Sequence, residues 1–99
     1  PGFHLSTYLL GAGPAVVFCH GFPDIALGWR HQLRAVADAG FRAIAPDMRG
    51  YGGSSCPQPV EAYTMTELTG DLVALLDALK IEKAVFVGHD WGGFIAWAM

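Results

Sequence analysis

The sequence predicts an α/β fold, in which helices cover both faces of a mostly parallel sheet. Short apolar segments rich in β-branched residues alternate with longer segments whose apolar residues recur at helical spacing. Glycine and proline occur in the turns between these segments. Of the 99 residues, 53% are hydrophobic and 15% are charged, which suggests either a membrane protein or one piece of a larger buried core. Alternation of strand and helix is typical of right-handed βαβ units.

The first part of the chain contains two strands and a helix. Residues 3–10 predict a short strand that ends at the glycine-rich turn 11–14. Residues 15–19, Ala-Val-Val-Phe-Cys, are continuously apolar and predict the first buried strand. A helix is expected from about residue 26 to residue 39, because large apolar side chains recur at helical spacing and Gly40 is a natural stop. These side chains are Trp29, Leu33 and Val36.

The middle of the chain contains a strand, a long loop and a second helix. Residues 41–45 predict the second buried strand, which Pro46 ends, and residues 47–63 predict a loop rich in Gly, Ser and Pro. Residues 64–67, Thr-Met-Thr-Glu, form a capping box that opens a helix. Its apolar stripe outweighs the cost of about 1 kcal/mol that Gly70 imposes. The stripe consists of Met65, Leu68, Leu72, Leu75, Leu76 and Leu79.

The last part predicts a third buried strand over residues 84–87, a tight turn over 88–93 and the start of a helix over 94–99. The chain has no initiator Met, and its last residues are apolar without a stop signal. A mean hydropathy of +0.35 and a bare sheet edge are unusual for so short a domain. We therefore expect residues 1–99 to be the N-terminal half of a larger core, with apolar surface that contacts the missing C-terminal half of the same chain.

Composition excludes several classes of protein. Six Lys and Arg oppose nine Asp and Glu, a net charge of −3 without a basic cluster, so nucleic acid is not an expected partner. No segment approaches the roughly 18 uninterrupted apolar residues of a membrane span, because Gly11, Gly13 and Pro14 break the longest weakly polar stretch. The abundance of apolar side chains excludes disorder. We expect Cys19 and Cys56 to be free thiols in a reducing compartment, the cytoplasm.

A glycine-rich turn after the third buried strand carries the strongest chemical signal. Residues 85–93, Val-Phe-Val-Gly-His-Asp-Trp-Gly-Gly, have the pattern of a nucleophile elbow between a strand and a helix. The central Asp90 is expected to have a strained backbone that exposes its carboxylate at the N-terminus of the next helix. Glycine two positions before and two positions after Asp90 leaves room for the sharp turn. The structural residues of this elbow are Gly88, His89, Gly92 and Gly93.

Aspartate at the central position indicates a particular chemistry. A carboxylate, whose unperturbed pKa is about 3.9, is ionised at neutral pH. Unlike serine, it needs no base before it attacks. It suits displacement at a saturated carbon that bears a leaving group, so we infer cleavage of an alkyl–oxygen or alkyl–halogen bond through an alkyl ester of Asp90. The alternative at this point is a plain strand-to-helix turn in which Asp90 caps the helix.

A second loop supports the catalytic interpretation. Residues 20–23, His-Gly-Phe-Pro, follow the first buried strand, where one oxyanion donor is expected. The backbone N–H groups of Phe22 and Trp91 are expected to converge on one oxygen. We expect Phe22, Pro23 and Trp91 to line the substrate pocket, and the Phe22–Pro23 bond can adopt either isomer. The structural residues of this loop are His20 and Gly21. We interpret the rings of His20 and His89 as hydrogen-bonding groups that hold the loops beside the site in place.

Together these segments resemble the N-terminal half of the α/β-hydrolase core of soluble epoxide hydrolases. The resemblance covers residues 15–99, and Pro1-Gly2 and residues 11–14 also fit. It implies an enzyme that adds water to a small-molecule epoxide to give a vicinal diol. Asp90 would open the ring, and the two backbone amides described above would hold the oxyanion during hydrolysis of the ester. The matching segments are residues 20–23, residues 45–52, Ser54-Ser55 and residues 88–93.

The family pattern also requires a histidine that activates water, an acid that orients it and lid tyrosines that bind the epoxide oxygen. These lie beyond Met99, so the chain alone is expected to be inactive.

The main alternative to an epoxide hydrolase is a haloalkane dehalogenase, a similar enzyme that usually carries Asn where this chain has Phe22. A fluoroacetate dehalogenase would have Arg at Trp91, and a serine esterase would have Ser at Asp90. A non-catalytic α/β-hydrolase-like module that binds a ligand or partner is the remaining alternative.

The remaining polar residues have plainer interpretations. The four histidines lack the spacing of a zinc site, so neither a metal nor a cofactor is expected. His4 is interpreted as a strand residue and His31 as a residue on a helix face. Asp47 and Arg49 are expected to pair with the backbone of the loop 50–55 rather than to bind substrate.

Overall fold

One sheet of four strands forms the centre of the structure, a computed structural model that describes residues 3–99. Its strands are β1 (Thr7–Leu10), β2 (Ala15–Cys19), β3 (Arg42–Pro46) and β4 (Ala84–Gly88), in the order β1-β3-β2-β4. β2 pairs in parallel with β3 and β4, whereas β1 runs antiparallel to β3 at the edge. The predicted mostly parallel sheet is confirmed. Pro1 and Gly2, which fit the family resemblance, lie outside the described residues.

Helices cover both faces of this sheet. α1 (Arg30–Asp38) continues a 3-10 turn at Ala26–Trp29 and packs on one face. α2 (Met65–Ala78) and α3 (Trp91–Ala98) pack on the other face. A second 3-10 turn, Val60–Tyr63, occupies the end of the predicted loop. Among the helices of residues 3–99, none combines the length and the apolarity that crossing a membrane requires.

β2 is buried on both faces, as its continuously apolar sequence predicts. Val17 and Cys19 belong to the core under α2 and α3, whereas Val16 and Phe18 belong to the core under α1. The Trp29 ring lies 5.1 Å from the Phe18 ring, between centroids, and packs against the same core. Because β2 and β4 are parallel neighbours, their carboxyl ends and the loops that follow them lie side by side.

β1 is shorter than the strand predicted from residue 3. The backbone N–H groups of His4 and Ser6 donate hydrogen bonds to the hydroxyls of Ser55 and Ser54, at 2.9 and 2.8 Å. These bonds tie the first described residues to the loop after β3 and take the place of a strand ladder. The prediction that His4 is a strand residue is therefore wrong, since it belongs to this bonded loop.

α3 begins at Trp91, three residues before the predicted start at Phe94. The chain turns into the helix directly after Asp90, since the N–H of Gly92 donates to the carbonyl of His89 at 3.0 Å. In the sequence the glycines suggest a turn, but in the structure they lie in the first turn of the helix.

Both predicted helix signals act as expected. The Thr64 hydroxyl accepts a hydrogen bond from the N–H of Glu67 at 3.3 Å, which caps the start of α2. Gly40 follows α1 with a φ of 95°, a left-handed conformation in which glycine ends a helix without strain. His31 lies exposed on α1, as predicted.

A buried ion pair joins the loop after β3 to α2. The Arg49 Nε and Nη2 donate to the two carboxylate oxygens of Asp71 at 2.8 and 2.7 Å, and the side chains are 11% and 8% exposed. The Nη1 of Arg49 donates to the Ala62 carbonyl at 2.8 Å. The prediction that Arg49 pairs with the backbone of residues 50–55 is wrong, because the forked geometry of a guanidinium matches a carboxylate better than it matches scattered carbonyls.

Loss of the Asp71 carboxylate should destabilise the fold. Asp71→Ala removes the bidentate partner of the buried Arg49 guanidinium and leaves only the exposed Glu67 carboxylate at 3.9 Å, so we expect the free energy of unfolding to fall by about 3 kcal/mol. Asp77→Ala is the matched control, since Asp77 also lies on α2 but is exposed, and its effect should stay within about 0.5 kcal/mol. Urea unfolding of the purified variants measures both values, and equal losses would contradict this role for the pair.

Candidate active site

Asp90 lies at the sharp turn between β4 and α3. Its backbone has a φ of 58° and a ψ of −125°, and a positive φ is uncommon for a residue with a side chain. Strain of this kind costs on the order of 1–3 kcal/mol and persists only where the surrounding structure holds it. The predicted strained conformation is confirmed, and the carboxylate is exposed above the sheet.

Three close approaches hold this turn in place. A Cβ atom on Gly92 would collide with the Cys19 carbonyl, and one on Gly88 would collide with the Gly92 carbonyl. On the facing loop, a Cβ atom on Gly21 would collide with the side chain of Asp90. Glycine is therefore required sterically at all three positions. A side chain at Gly88 would force β4 away from the start of α3, and one at Gly92 or Gly21 would force the elbow away from the end of β2 and the loop that follows it.

The Asp90 carboxylate accepts a hydrogen bond from the loop that follows β2. The backbone N–H of Phe22 donates to Oδ2 at 3.2 Å, and the Phe22–Pro23 peptide bond is cis. The backbone N–H groups of Trp91 and Phe22 lower the pKa of the Asp90 carboxyl, and the neighbouring His89 contributes in the same direction. The two N–H groups expected to converge on one oxygen thus both stabilise this one carboxylate.

His20 joins the loop after β2 to the loop after β3, as predicted. The ring is buried, its Nδ1 lies 2.9 Å from the Gly21 carbonyl oxygen, and its Nε2 accepts from the Met48 N–H at 2.9 Å. A neutral ring with its proton on Nδ1 satisfies both bonds. The Tyr51 ring packs edge-on against it at 4.8 Å between centroids.

The His89 ring does not hold a loop, contrary to the prediction. It is exposed and makes no hydrogen bond within residues 3–99. Instead the backbone N–H of His89 donates to the Cys19 carbonyl at 3.2 Å. The main chain already forms the link between β4 and β2, so the side chain is not needed for it.

Asp47 connects three segments behind the site. Its Oδ1 accepts from the Ala26 N–H at 2.8 Å, and its Oδ2 accepts from the Gly53 N–H at 3.1 Å. The Ser54 hydroxyl donates a hydrogen bond to the backbone carbonyl of Asp47. The carboxylate is buried and both of its oxygens bond to backbone, which confirms the predicted structural pairing.

A cavity of about 410 Å³ opens next to the elbow. Trp91 and Gly21, on either side of Asp90, form one part of its wall, together with Tyr51. Met65 and Leu68, from the first turns of α2, contribute apolar surface to it. The cavity is therefore a mainly apolar space next to the elbow, and Asp90 itself does not belong to its lining.

Phe22 and Pro23 lie outside this wall. Both are exposed, with 63% of Phe22 accessible to solvent, and neither lines the cavity. The Phe22 ring lies beyond the carboxyl ends of the strands and contacts the edge of the Tyr51 ring at 6.5 Å between centroids. Of the three residues expected to line the pocket, only Trp91 does so in the described part of the chain.

Sequence reasoning missed the contribution of Tyr51, Tyr63 and α2 to the cavity. Burial raises the pKa of the Tyr51 hydroxyl, and the negative charge of Asp90 raises it further. The Tyr63 hydroxyl donates to the Pro57 carbonyl at 2.8 Å, which orients its ring toward the cavity. The position of Tyr51 in a glycine-rich turn after a buried strand was a usable signal, whereas nothing local distinguishes Met65 from its core neighbours on α2.

The sequence profile of the family described as alpha/beta hydrolase fold matches residues 14–99. This range contains both loops of the site, the strained elbow and the strands that position them. The chain belongs to the α/β-hydrolase fold family.

Curated relatives of this α/β-hydrolase include proteins from bacteria and mammals. An epoxide hydrolase of Caballeronia sordidicola is 62% identical over 96 residues, which cover 97% of this chain and 29% of the relative. Epoxide hydrolase A of Mycobacterium tuberculosis is 57% identical over 84 residues, 85% of this chain and 26% of the relative. Bifunctional epoxide hydrolase 2 of Sus scrofa is 50% identical over the full 99 residues, 18% of that protein. The chain thus spans less than a third of the length of these relatives.

Solved structures of epoxide hydrolases share the fold. A mutant of the Vigna radiata epoxide hydrolase superposes with a TM-score of 0.95 at 43% identity, over 98% of this chain and 30% of that structure. Epoxide hydrolase A from Mycobacterium thermoresistibile gives a TM-score of 0.94 at 52% identity, over 98% of this chain and 31% of that structure. Within residues 3–99 of this α/β-hydrolase, no group of three or more His, Cys, Asp or Glu side chains is placed to hold a metal ion.

Gly92 and Gly93 provide a direct test of the steric argument. We expect Gly92→Ala to lower the free energy of unfolding by about 1–3 kcal/mol, because its Cβ would meet the Cys19 carbonyl. Gly93→Ala is the control in the same helical turn: its Cβ would make only ordinary contacts, and the helix should gain up to about 1 kcal/mol. Chemical denaturation measures the free energy of unfolding of both variants. Similar changes at the two positions would contradict the close approach of Gly92 to the Cys19 carbonyl.

The Asp90 carboxyl should titrate at an unusually low pH. Its ionised form accepts backbone hydrogen bonds, so its pKa in the folded protein should lie below the ~3.9 of an unperturbed aspartate. A lowered folded pKa means that its contribution to stability is present above the unfolded pKa and is lost as the pH falls through the folded one. Carboxyl carbon NMR of the purified protein gives the midpoint, and a value at or above the unperturbed one would show that these bonds do not form.

Proposed function

We propose that this chain is the nucleophile-bearing part of an epoxide hydrolase that converts a small-molecule epoxide and water into a vicinal diol. The observation that carries the proposal is the Asp90 carboxylate, exposed on a strained elbow and bonded by the Phe22 N–H at 3.2 Å. An ionised carboxylate in this position suits attack on a saturated carbon. The relatives named as epoxide hydrolases support the same reaction class.

In the first step, Asp90 opens the ring. Oδ2 is held by the Phe22 N–H, so Oδ1 is the oxygen with a lone pair available for attack. Oδ1 forms a bond to an epoxide carbon as the carbon–oxygen bond of the ring breaks, and the ring oxygen leaves as an alkoxide that takes a proton from a donor. The product is an alkyl ester of Asp90 with a neighbouring hydroxyl.

In the second step, water hydrolyses this ester. Attack of water at the carboxyl carbon, with loss of a proton to a base, moves negative charge onto Oδ2, which already accepts from the Phe22 N–H. The Trp91 N–H, which also stabilises the ionised carboxylate, is the second donor in this proposal. Backbone donors that are in place before the charge develops stabilise it effectively. Collapse of the intermediate releases the diol and restores the carboxylate, with the oxygen of water in place of Oδ1.

We propose that the proton donor of the first step and the base of the second belong to the rest of a longer protein. In this proposal residues 1–99 are the N-terminal half of the α/β-hydrolase core, and the lid and the C-terminal half complete the site. The exposed apolar surface of β4 and α3 supports this: Val85, Phe94 and Trp97 are 61%, 62% and 92% exposed. Apolar surface of this extent is typical of an interface that another segment covers.

The thiols support a reducing compartment, which we propose is the cytoplasm. Cys19 and Cys56 are both free, the first buried and the second exposed. Burial raises the pKa of the Cys19 thiol to about 12, so this thiol stays protonated and unreactive.

An isotope experiment on the complete enzyme tests the mechanism. A single turnover of epoxide in water enriched in heavy oxygen, followed by peptide mass mapping, should place the label in the carboxylate of Asp90, because the diol takes its new oxygen from that carboxylate. Label found only in the diol would overturn the ester mechanism.

Two variants complete this test. Asp90→Asn should abolish ester formation, since an amide is a poor nucleophile at saturated carbon. Asp38→Asn removes one carboxylate at the exposed end of α1 and should leave both the rate and the site of labelling unchanged.

A further inference from the structure

A second, separate groove lies where α1 meets the edge strand β1. It has a volume of about 350 Å³, and its apolar surface comes from Tyr8, Leu10, Leu27 and Leu33. Leu33 is buried, whereas Tyr8 and Leu27 are 43% and 44% exposed. β1 and β4 are the opposite edges of the sheet, so this groove is remote from the elbow.

The rim of this groove is cationic. Arg30, His31 and Arg34 line it, and Arg30 and Arg34 are four residues apart, which places them on one face of α1. Within residues 3–99, neither guanidinium lies within 4.0 Å of a carboxylate, although one N–H group of Arg30 donates to the Leu27 carbonyl at 3.3 Å. No acidic residue lines the groove.

We propose that this groove binds the carboxylate of a medium-chain fatty acid. The guanidinium groups of Arg30 and Arg34 bind the charged head, since guanidinium donors match a carboxylate in both charge and geometry. The alkyl chain lies along Leu10, Leu27 and Leu33. The chain carries a net charge of −3, so a cationic groove without an acidic neighbour runs against its overall balance and favours an anion at this place.

The groove has an apolar part and a cationic part, and a ligand that uses only one of them fits less well than a fatty acid. A small anion would leave the exposed Leu27 and Tyr8 surface in water and gain nothing from it. An uncharged amphiphile would gain nothing from the two guanidinium groups, which are exposed to solvent. A ligand with both a carboxylate and an apolar chain satisfies both halves, and the binding does not depend on the proposed reaction at Asp90.

Calorimetric titration with sodium decanoate, below its micelle concentration and at pH 8, tests the proposal on the complete protein. We expect saturable binding at one site. Arg30→Gln/Arg34→Gln should weaken it about fivefold or more, from the loss of two partly exposed ion pairs. Lys80→Gln/Lys83→Gln is the matched control, because it removes the same charge from residues elsewhere on the surface and should change the affinity less than about twofold.

Several outcomes would overturn the proposal. Equal binding of acetate would indicate an anion site only, and equal binding of decyl maltoside would indicate an apolar surface only. If both double variants bound decanoate equally weakly, the loss of affinity would be due to the change in net charge and not to the groove. Sedimentation with phosphatidylglycerol vesicles, without binding of monomeric decanoate, would assign this face to a membrane surface instead. Circular dichroism of each variant verifies that the fold is retained.

Discussion

The site depends on a contact in which no side chain separates the elbow from the end of β2. The backbone of Gly92 lies against the carbonyl groups of Cys19 and His20, and Gly21 lies against Asp90. These contacts hold Asp90 at a φ of 58° and bring its carboxylate to the Phe22 N–H. The donor geometry at Asp90 therefore follows from the path of the main chain, which makes it preorganised rather than dependent on flexible side chains.

Buried polar side chains make the surrounding loops equally well defined. His20 connects the loops after β2 and β3, and Asp47 connects the start of the 3-10 turn before α1 to the loop around Gly53. In the described part of the chain, every buried side-chain nitrogen or oxygen has a hydrogen-bond partner. Satisfied networks of this kind favour one arrangement, because breaking any bond would leave a polar group unpaired in an apolar setting.

Elements that depend on local sequence agree with the prediction, whereas those that depend on contacts between distant residues do not. The bounds of β2 agree with the prediction, since a continuously apolar segment between Pro14 and His20 has a purely local meaning. The start of α3 was misplaced, because Gly92 and Gly93 suggest a turn until the close approach to β2 is known. The partner of Arg49 was also missed, since Asp71 lies 22 residues away on α2.

The sequence by itself determined the order of the elements, the elbow and the residue type at its centre, Asp90, because these depend on periodicity, glycine and the chemistry of one side chain. Tertiary structure alone decided which groups meet: Arg49 with Asp71, the His20 ring with the Met48 N–H, and α2 with the cavity beside Trp91. The strand order β1-β3-β2-β4 brings distant segments to one end of the sheet, and no local spacing encodes which of their side chains face one another there.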